Sequence, residues 1–210
     1  NTTWEEEIPG GPRGAIAVVR DSVYTSSNYL VGYETRIKTD GVVDVGTTFG
    51  HRLGTVEGRG KLRLERGAMP AGVYEDFFGP DGGTIEFAGT DNYDVLSEVS
   101  NVNNLLFSGT GERRLPNLDL RLYGNLEITG GQVVNEHDHT LTVDSNIVFT
   151  GGSLDAGTGE FAKLIMNGTD HQEVSGDFSE SNAWNHVDIN NGSGVTVHDH
   201  LGINGNLTFN

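Results

Sequence analysis

LRLYGNLEIT at residues 120–129 is followed 21 residues later by LTVDSNIVFT at residues 141–150, and the two align without gaps. LGINGNLTFN at residues 201–210 has the same form, 60 residues after the second copy. Each reads apolar-x-apolar-x-x-Asn-apolar-x-apolar. Period-two alternation over three residues marks a short strand with one inward face, and the intervening polar residues mark a corner. Two more pairs fall near the same lattice. IEFAGTD at 85–91 matches LIMNGTD at 164–170 at an offset of 79, and LLFS at 105–108 matches VDIN at 187–190 at an offset of 82. The common unit is about 20 residues, the length of one coil of a β-solenoid.

These spacings predict an all-β chain folded as a right-handed parallel β-helix. Each strand would pair with its equivalents in the coils above and below, at roughly 4.8 Å. Leu120, Leu141 and Leu201 are expected to form one inward column, and Ile128, Phe149 and Phe209 another. Asn125, Asn146 and Asn206 are expected at equivalent corners, where an amide ladder satisfies turn backbone groups. A β-sandwich also gives short strands, but it does not predict side-chain identity recurring at multiples of the coil length.

Outward from these repeats the grammar continues. Residues 37–46 and 60–64 read as coil strands, residues 13–19 as a leading strand, and residues 69–80 as a longer excursion. No linker divides the chain, so residues 1–210 are taken as one continuous solenoid, with 1–35 as a leading strand or cap and 36–210 as repeat coils.

Composition agrees. Glycine is 31 of 210 residues, proline only 5, and cysteine is absent. That excludes disulfide scaffolds, thiolate metal sites and thiol catalysis. Acids outnumber bases 30 to 13, for a net charge of −17. Nucleic acid and anionic membranes are therefore poor partners. Only one base, Lys163, follows Arg121. No apolar run approaches the roughly 18 residues of a membrane span, so membrane insertion is not expected. The chain begins at Asn1, not Met, which reads as a mature or excised segment.

The runs from Gly54 to Leu96 and from Leu106 to Gly131, including GRGKLRLERGAMPAGVYEDFFGPDGGTIEFAGT and FSGTGERRLPNLDLRLYGNLEITGG, resemble segments of very large surface proteins of Bacteroidetes-type bacteria. The resemblance extends over roughly residues 36–210 as a style of repeat. It implies a β-helix region of a secreted or cell-surface protein, adhesin-like in role and often exported by the type IX pathway.

Candidate chemistry is sparse. His137-Asp138-His139 and His198-Asp199-His200 carry metal-competent ligands. They lie about three coils apart, however, or about 14 Å at the stacking distance, so solvated turns are the better reading. Asp- and Asn-rich turns offer oxygen ligands for calcium, but no calcium-binding nonapeptide array is present. Arg113-Arg114 reads as a surface pair or a small anion site. Trp184, Tyr93, Tyr123 and Tyr74 are candidates for stacking against glycans or for filling the core. Asn167, Asn191 and Asn206 open N-x-S/T triplets, and Asp21-Ser22-Val23 resembles a short bacterial O-glycosylation signal.

No paired carboxylates at coil spacing, nucleophile elbow or phosphate loop stands out, so no catalytic, cofactor or metal residue is assigned. The expected function is a non-catalytic rod or stalk segment of an extracellular adhesin-like protein or filament. Its partners would be neighbouring coils or subunits, meeting end to end or by strand donation from residues 3–8, with surface glycans as a second class. The alternative is a carbohydrate-binding or polysaccharide-degrading β-helix.

Overall fold

The computed structural model describes residues 16–210, together with the backbone of Thr3–Glu5. Alternation decides the strands. In Leu141–Val143 and Ile147–Phe149 the two outer residues are buried and the middle one is half-buried. Such triplets pair in parallel with their equivalents one coil away, and the chain winds as an all-β solenoid with coils about 21 residues apart.

One sheet of nine strands runs from Ser22–Tyr24 to Val195–Val197. Its inward column holds one residue per coil: Val23, Val43, Leu62, Ile85, Leu105, Leu126, Ile147, Val174 and Val197. Each fully buried aliphatic or aromatic side chain of this kind contributes about 1.5–3 kcal/mol of transfer free energy, so the columns dominate stability.

The side preceding this sheet in every coil is split. Strands from Ile16–Val19 to Ala71–Val73 form its first part, and six strands from Asn101–Val102 to Leu207–Phe209 its second. A single helical turn, Glu75–Phe78, packs against Arg52–Glu57 and Asn101–Val102, between the two sheets. Its Phe77 is fully buried and keeps the core continuous across the gap. This is the excursion expected around residues 69–80.

The third side has strands Tyr93–Asp94, Glu112–Arg114, Gln132–Val134 and Ser153–Asp155, and then Asp177–Phe178 and His200–Leu201. Where the pairing breaks, Asn182 Oδ1 accepts the Leu154 amide at 2.9 Å in place of a strand carbonyl. At the corner leading to this side, Gly109 has φ +80°, and a Cβ there would lie 2.2 Å from the Gly89 carbonyl oxygen. Only glycine lets successive coils approach so closely.

Several alignments shift. Leu120 pairs with Leu141, and Ile128 with Phe149, as expected. Leu201 instead pairs with Phe178 on the third side, while Leu207 and Phe209 pair with Val187 and Ile189. The third copy of the motif is therefore out of register by six residues. Ile85 and Leu164 likewise belong to different sheets, as do Leu105 and Val187.

Parallel stacking already includes Ile16–Val19 and Ser22–Tyr24, so coils begin within the segment assigned to the leading strand or cap. Thr3–Glu5, expected as a strand for donation, pairs antiparallel with Ile16–Val19 of its own chain. The remainder of that segment, residues 6–8, and residues 13–15 of the leading strand lie outside the described residues.

Candidate functional site

The corners carry a ladder of side-chain acceptors. Asn104 Oδ1 accepts the Asn125 amide at 2.8 Å, Asn125 Oδ1 accepts the Asn146 amide at 3.0 Å, and Asn146 Oδ1 accepts the Glu173 amide at 2.8 Å. The first two rungs cap the residue before the next strand and the third the second residue of its strand, the same logic that favours Asn and Asp at turns. Asn206 is not in this ladder: its amide donates to His186 Nδ1 at 2.9 Å, at a different corner.

Both histidine triplets are absorbed by the same device. Asp138 Oδ1 accepts the amides of Thr158 and Gly159 at 2.8 and 2.9 Å, and Asp199 Oδ2 accepts the Gly176 amide at 2.9 Å. His139 Nε2 is 2.8 Å from Asn117 Oδ1, and its Nδ1 lies 3.4 Å from Asp119. His198 and His200 face Glu173 and Asp177 at 3.7 and 3.8 Å. Among the described residues no group of three metal-competent side chains converges.

Arg113 and Arg114 part company. Alternation points Arg114 outward to Asp94 and Glu112, both at 2.6 Å. Arg113 faces inward, in register with Val133 and Leu154, and is fully buried. The expected surface pair is thus half wrong. With no buried carboxylate to meet it, the Arg113 guanidinium donates to the carbonyls of Gly89 and Asp91 at 2.9 and 2.7 Å and also to that of Ala88. Its neighbour Tyr93 donates its hydroxyl to Ala88 O at 2.6 Å. Burial pushes the Tyr93 phenol up to about 12, against the opposing charge and hydrogen bond of Arg113.

The other expected platforms are also occupied. Trp184 is buried in the core beside Phe178. Tyr74 stacks on Phe78 with its hydroxyl on Pro70 O, and burial raises its phenol well above the ordinary range. Tyr123 lies half-buried under Arg121. Of the triplet asparagines, Asn191 is buried with its amide on Asp170 O and Gln172 Oε1, whereas Asn206 is exposed. Asn167 links Asp144 to Asn190 in a second ladder. Ser22 is exposed, on the first, edge strand of the nine-stranded sheet.

The outer face of that sheet holds alternating charge in register. Arg63 lies between Asp44, at 2.8 Å, and Glu86, at 3.4 Å, with Lys61 on the other Glu86 oxygen at 2.9 Å. Burial alone would raise the Glu86 carboxyl. The hydrogen bonds from Lys61 and Ser108 and the charges of Lys61 and Arg63 outweigh it and hold the group below its ordinary value.

Two open surfaces stand out among the described residues. Val195–Phe209 form the last coil, where Val197, Leu207 and Phe209 continue the sheets yet are exposed by 39%, 47% and 73%. Near the other end, a cleft of about 310 Å³ is lined by Tyr29, Phe49, His51, Arg52, Arg66 and Met69. Sequence reading passed over it because these residues sit in irregular turns. Tyr29 and Phe49 are nonetheless one coil apart, and their rings meet edge-to-face at 5.6 Å.

No protein family, curated protein or solved structure that we compared matches this chain.

Proposed function

We propose that this chain is a non-catalytic rod segment of an extracellular, adhesin-like surface protein or filament, built to stack coil on coil. The observation that carries this reading is the nine-strand inward column, one residue per coil in unbroken parallel register. Leu207 and Phe209 are in register with Val187 and Ile189, so a further coil placed there would pair its backbone and bury both side chains. Uncovered strand edges of this kind recruit another strand. The occupant in this reading is a coil of like chemistry, from more of the same polypeptide or from a second copy. The surface-protein resemblance supports a location outside the cell.

Sedimentation of the chain across the micromolar range tests the stacking. Concentration-dependent end-to-end association is expected, abolished by Leu207→Asp with Phe209→Asp. A stable monomer throughout that range would overturn the reading.

A further inference from the structure

We propose that the cleft formed by Tyr29, Phe49, Arg52 and Arg66 binds an acidic sugar unit of a surface glycan. The more exposed Tyr29 ring would stack on the sugar's C–H face with the Phe49 ring beside it at a steep angle, and the two guanidinium groups would take its carboxylate. The proposal adds a ligand site to the rod reading and does not depend on it.

Shape comes first. A concavity of about 310 Å³ sits at the lower end of the range for small-ligand sites, roughly 300–1,000 Å³. Its floor is partly apolar, with Met69 and Pro70, and its aromatic wall is left open by folding: Tyr29 is 66% exposed and Phe49 47%.

The wall is held in place at a conformational cost. Tyr29 has φ +66°, in the left-handed region that bulky residues avoid. Its ring rests over Gly50, where a Cβ would lie 2.5 Å from Tyr29 Cδ1. Hydrogen bonds lock this arrangement. The Tyr29 amide donates to Phe49 O at 3.0 Å, the Phe49 amide to Asn28 Oδ1 at 3.0 Å, and the Leu30 amide to His51 Nδ1 at 3.1 Å. A strained aromatic residue held by its surroundings and left facing solvent is a sign of use.

Charge selects the ligand. In a chain of net charge −17, Arg36, Arg59, Arg63, Arg114 and Arg121 each pair with a carboxylate. Among the described residues neither Arg52 nor Arg66 has a carboxylate partner. Arg66 touches only the Thr48 carbonyl, at 3.3 Å, and the Phe49 ring, at 5.9 Å. Two guanidinium forks lining one cleft without a carboxylate of their own suit a carboxylate ligand. A ring with an apolar face suits the aromatic pair, whose negative faces attract C–H groups. An extended peptide fits less well, because the turn amides of Leu30, Gly32 and Arg52 are already used between coils and leave no strand edge to pair.

Calorimetric titration of the full chain with tri-galacturonate, tetra-mannuronate and neutral maltotriose tests this, with thermal melts as the folding control. We expect at least one acidic probe to bind, more weakly at higher salt, and maltotriose not to bind. Arg66→Gln and Tyr29→Ala should each weaken binding by about tenfold or more at unchanged melting temperature, the scale expected for losing a charged hydrogen bond or a stacking contact. Absence of binding by both acidic probes at millimolar concentration overturns the proposal. So does equal binding of maltotriose, or acidic binding that neither variant weakens. Association of the chain is read separately by sedimentation, so failure of either proposal is recognised without the other.

Discussion

The Arg113 guanidinium carbon lies 4.3 Å over the ring of Tyr93, one coil earlier, and both side chains donate to the Ala88 carbonyl of Tyr93's coil. A cation has thus replaced an aliphatic residue in an inward column, neutralised by carbonyl dipoles and a π face instead of a carboxylate. Arginine suits this better than lysine, because its delocalised charge is weakly hydrated and its fork reaches several acceptors. Arg113→Met should leave the Asp91 carbonyl without its side-chain donor, while Tyr93 still donates to Ala88 O and the Thr110 amide to Gly89 O, and cost about 1–3 kcal/mol in denaturant unfolding, the range for a buried polar group left unsatisfied. Arg114→Gln, at a half-buried surface position whose ion pairs are screened by solvent, should shift the midpoint little. Equal effects for the two variants would refute the inward role.

The corner ladder makes a sharper contrast. Asn125→Ala removes the acceptor of the Asn146 amide and of the Ser145 hydroxyl, and should cost about 1 kcal/mol, the usual value for a lost turn cap. Asn206→Ala should stay within about 0.5 kcal/mol, as for other exposed surface changes, because its side chain makes no hydrogen bond among the described residues. Matching chemical-denaturation midpoints for the two would contradict the ladder.

Much of this was legible because a solenoid repeats its physics. The pairs Leu120/Leu141 and Ile128/Phe149, and the asparagine corner between them, follow from alternation and a 21-residue offset. The third copy misled because every corner of the coil uses the same grammar. A polar acceptor between two alternating triplets fits the corner before the nine-stranded sheet, and it fits equally the corner at Asn206. Which sheet a triplet joins depends on all the residues wound before it. The insertion between Ile147 and its partner Val174 shifts that count, and turn residues carry no periodic signal to reveal it. Arg113 was readable only through register, since Val133 and Leu154 share its column. The Tyr29–Phe49 cleft carried one usable sign, the single-coil spacing of its two rings, hidden among turns without alternation.

Leu141 and Thr142 test the winding itself. Leu141 is 3% exposed between Leu120 and Leu164, whereas Thr142 faces outward between Arg121 and Ile165. Leu141→Asp should bury an unpaired charge and cost about 3–5 kcal/mol. Thr142→Asp, beside Arg121, should cost less than about 1 kcal/mol. Equilibrium unfolding by urea separates them, and comparable losses would be inconsistent with this register.

Chelation should change little. The carboxylates most suited to a cation, Asp138 and Asp199, already accept backbone amides from neighbouring coils. A fall in melting temperature of more than a few degrees on adding EDTA would show that oxygen ligands elsewhere hold a structural ion.

The last expectation concerns acid and the cleft together. His51 is buried, accepts the Leu30 amide at Nδ1 and meets the Thr48 hydroxyl at Nε2. Burial depresses its pKa below the ordinary 6.5; a hydrogen bond with the Thr48 backbone opposes this, and the Arg66 charge adds to it. The unfolded chain therefore takes up this proton first as pH falls. Stability contributed by neutral His51 is complete above about pH 6.5 and is lost as pH drops from there through the folded-state value. His51→Gln should lower the melting temperature at neutral pH yet flatten its fall as the pH drops below about 6.5, the ordinary imidazole value. Protonation would also set a second cation beside Arg66 and take Nδ1 from the Leu30 amide, loosening the turn that holds Tyr29 over Gly50. Binding of an acidic sugar should then weaken too, at lower pH than melting begins to fall, because the folded chain takes the proton at its depressed value, although the sugar's carboxylate stays ionised. A fall in melting followed at lower pH by a fall in binding in the parent chain, both flattened in His51→Gln, would tie the imidazole to the cleft. A binding profile that the substitution leaves unmoved would separate them.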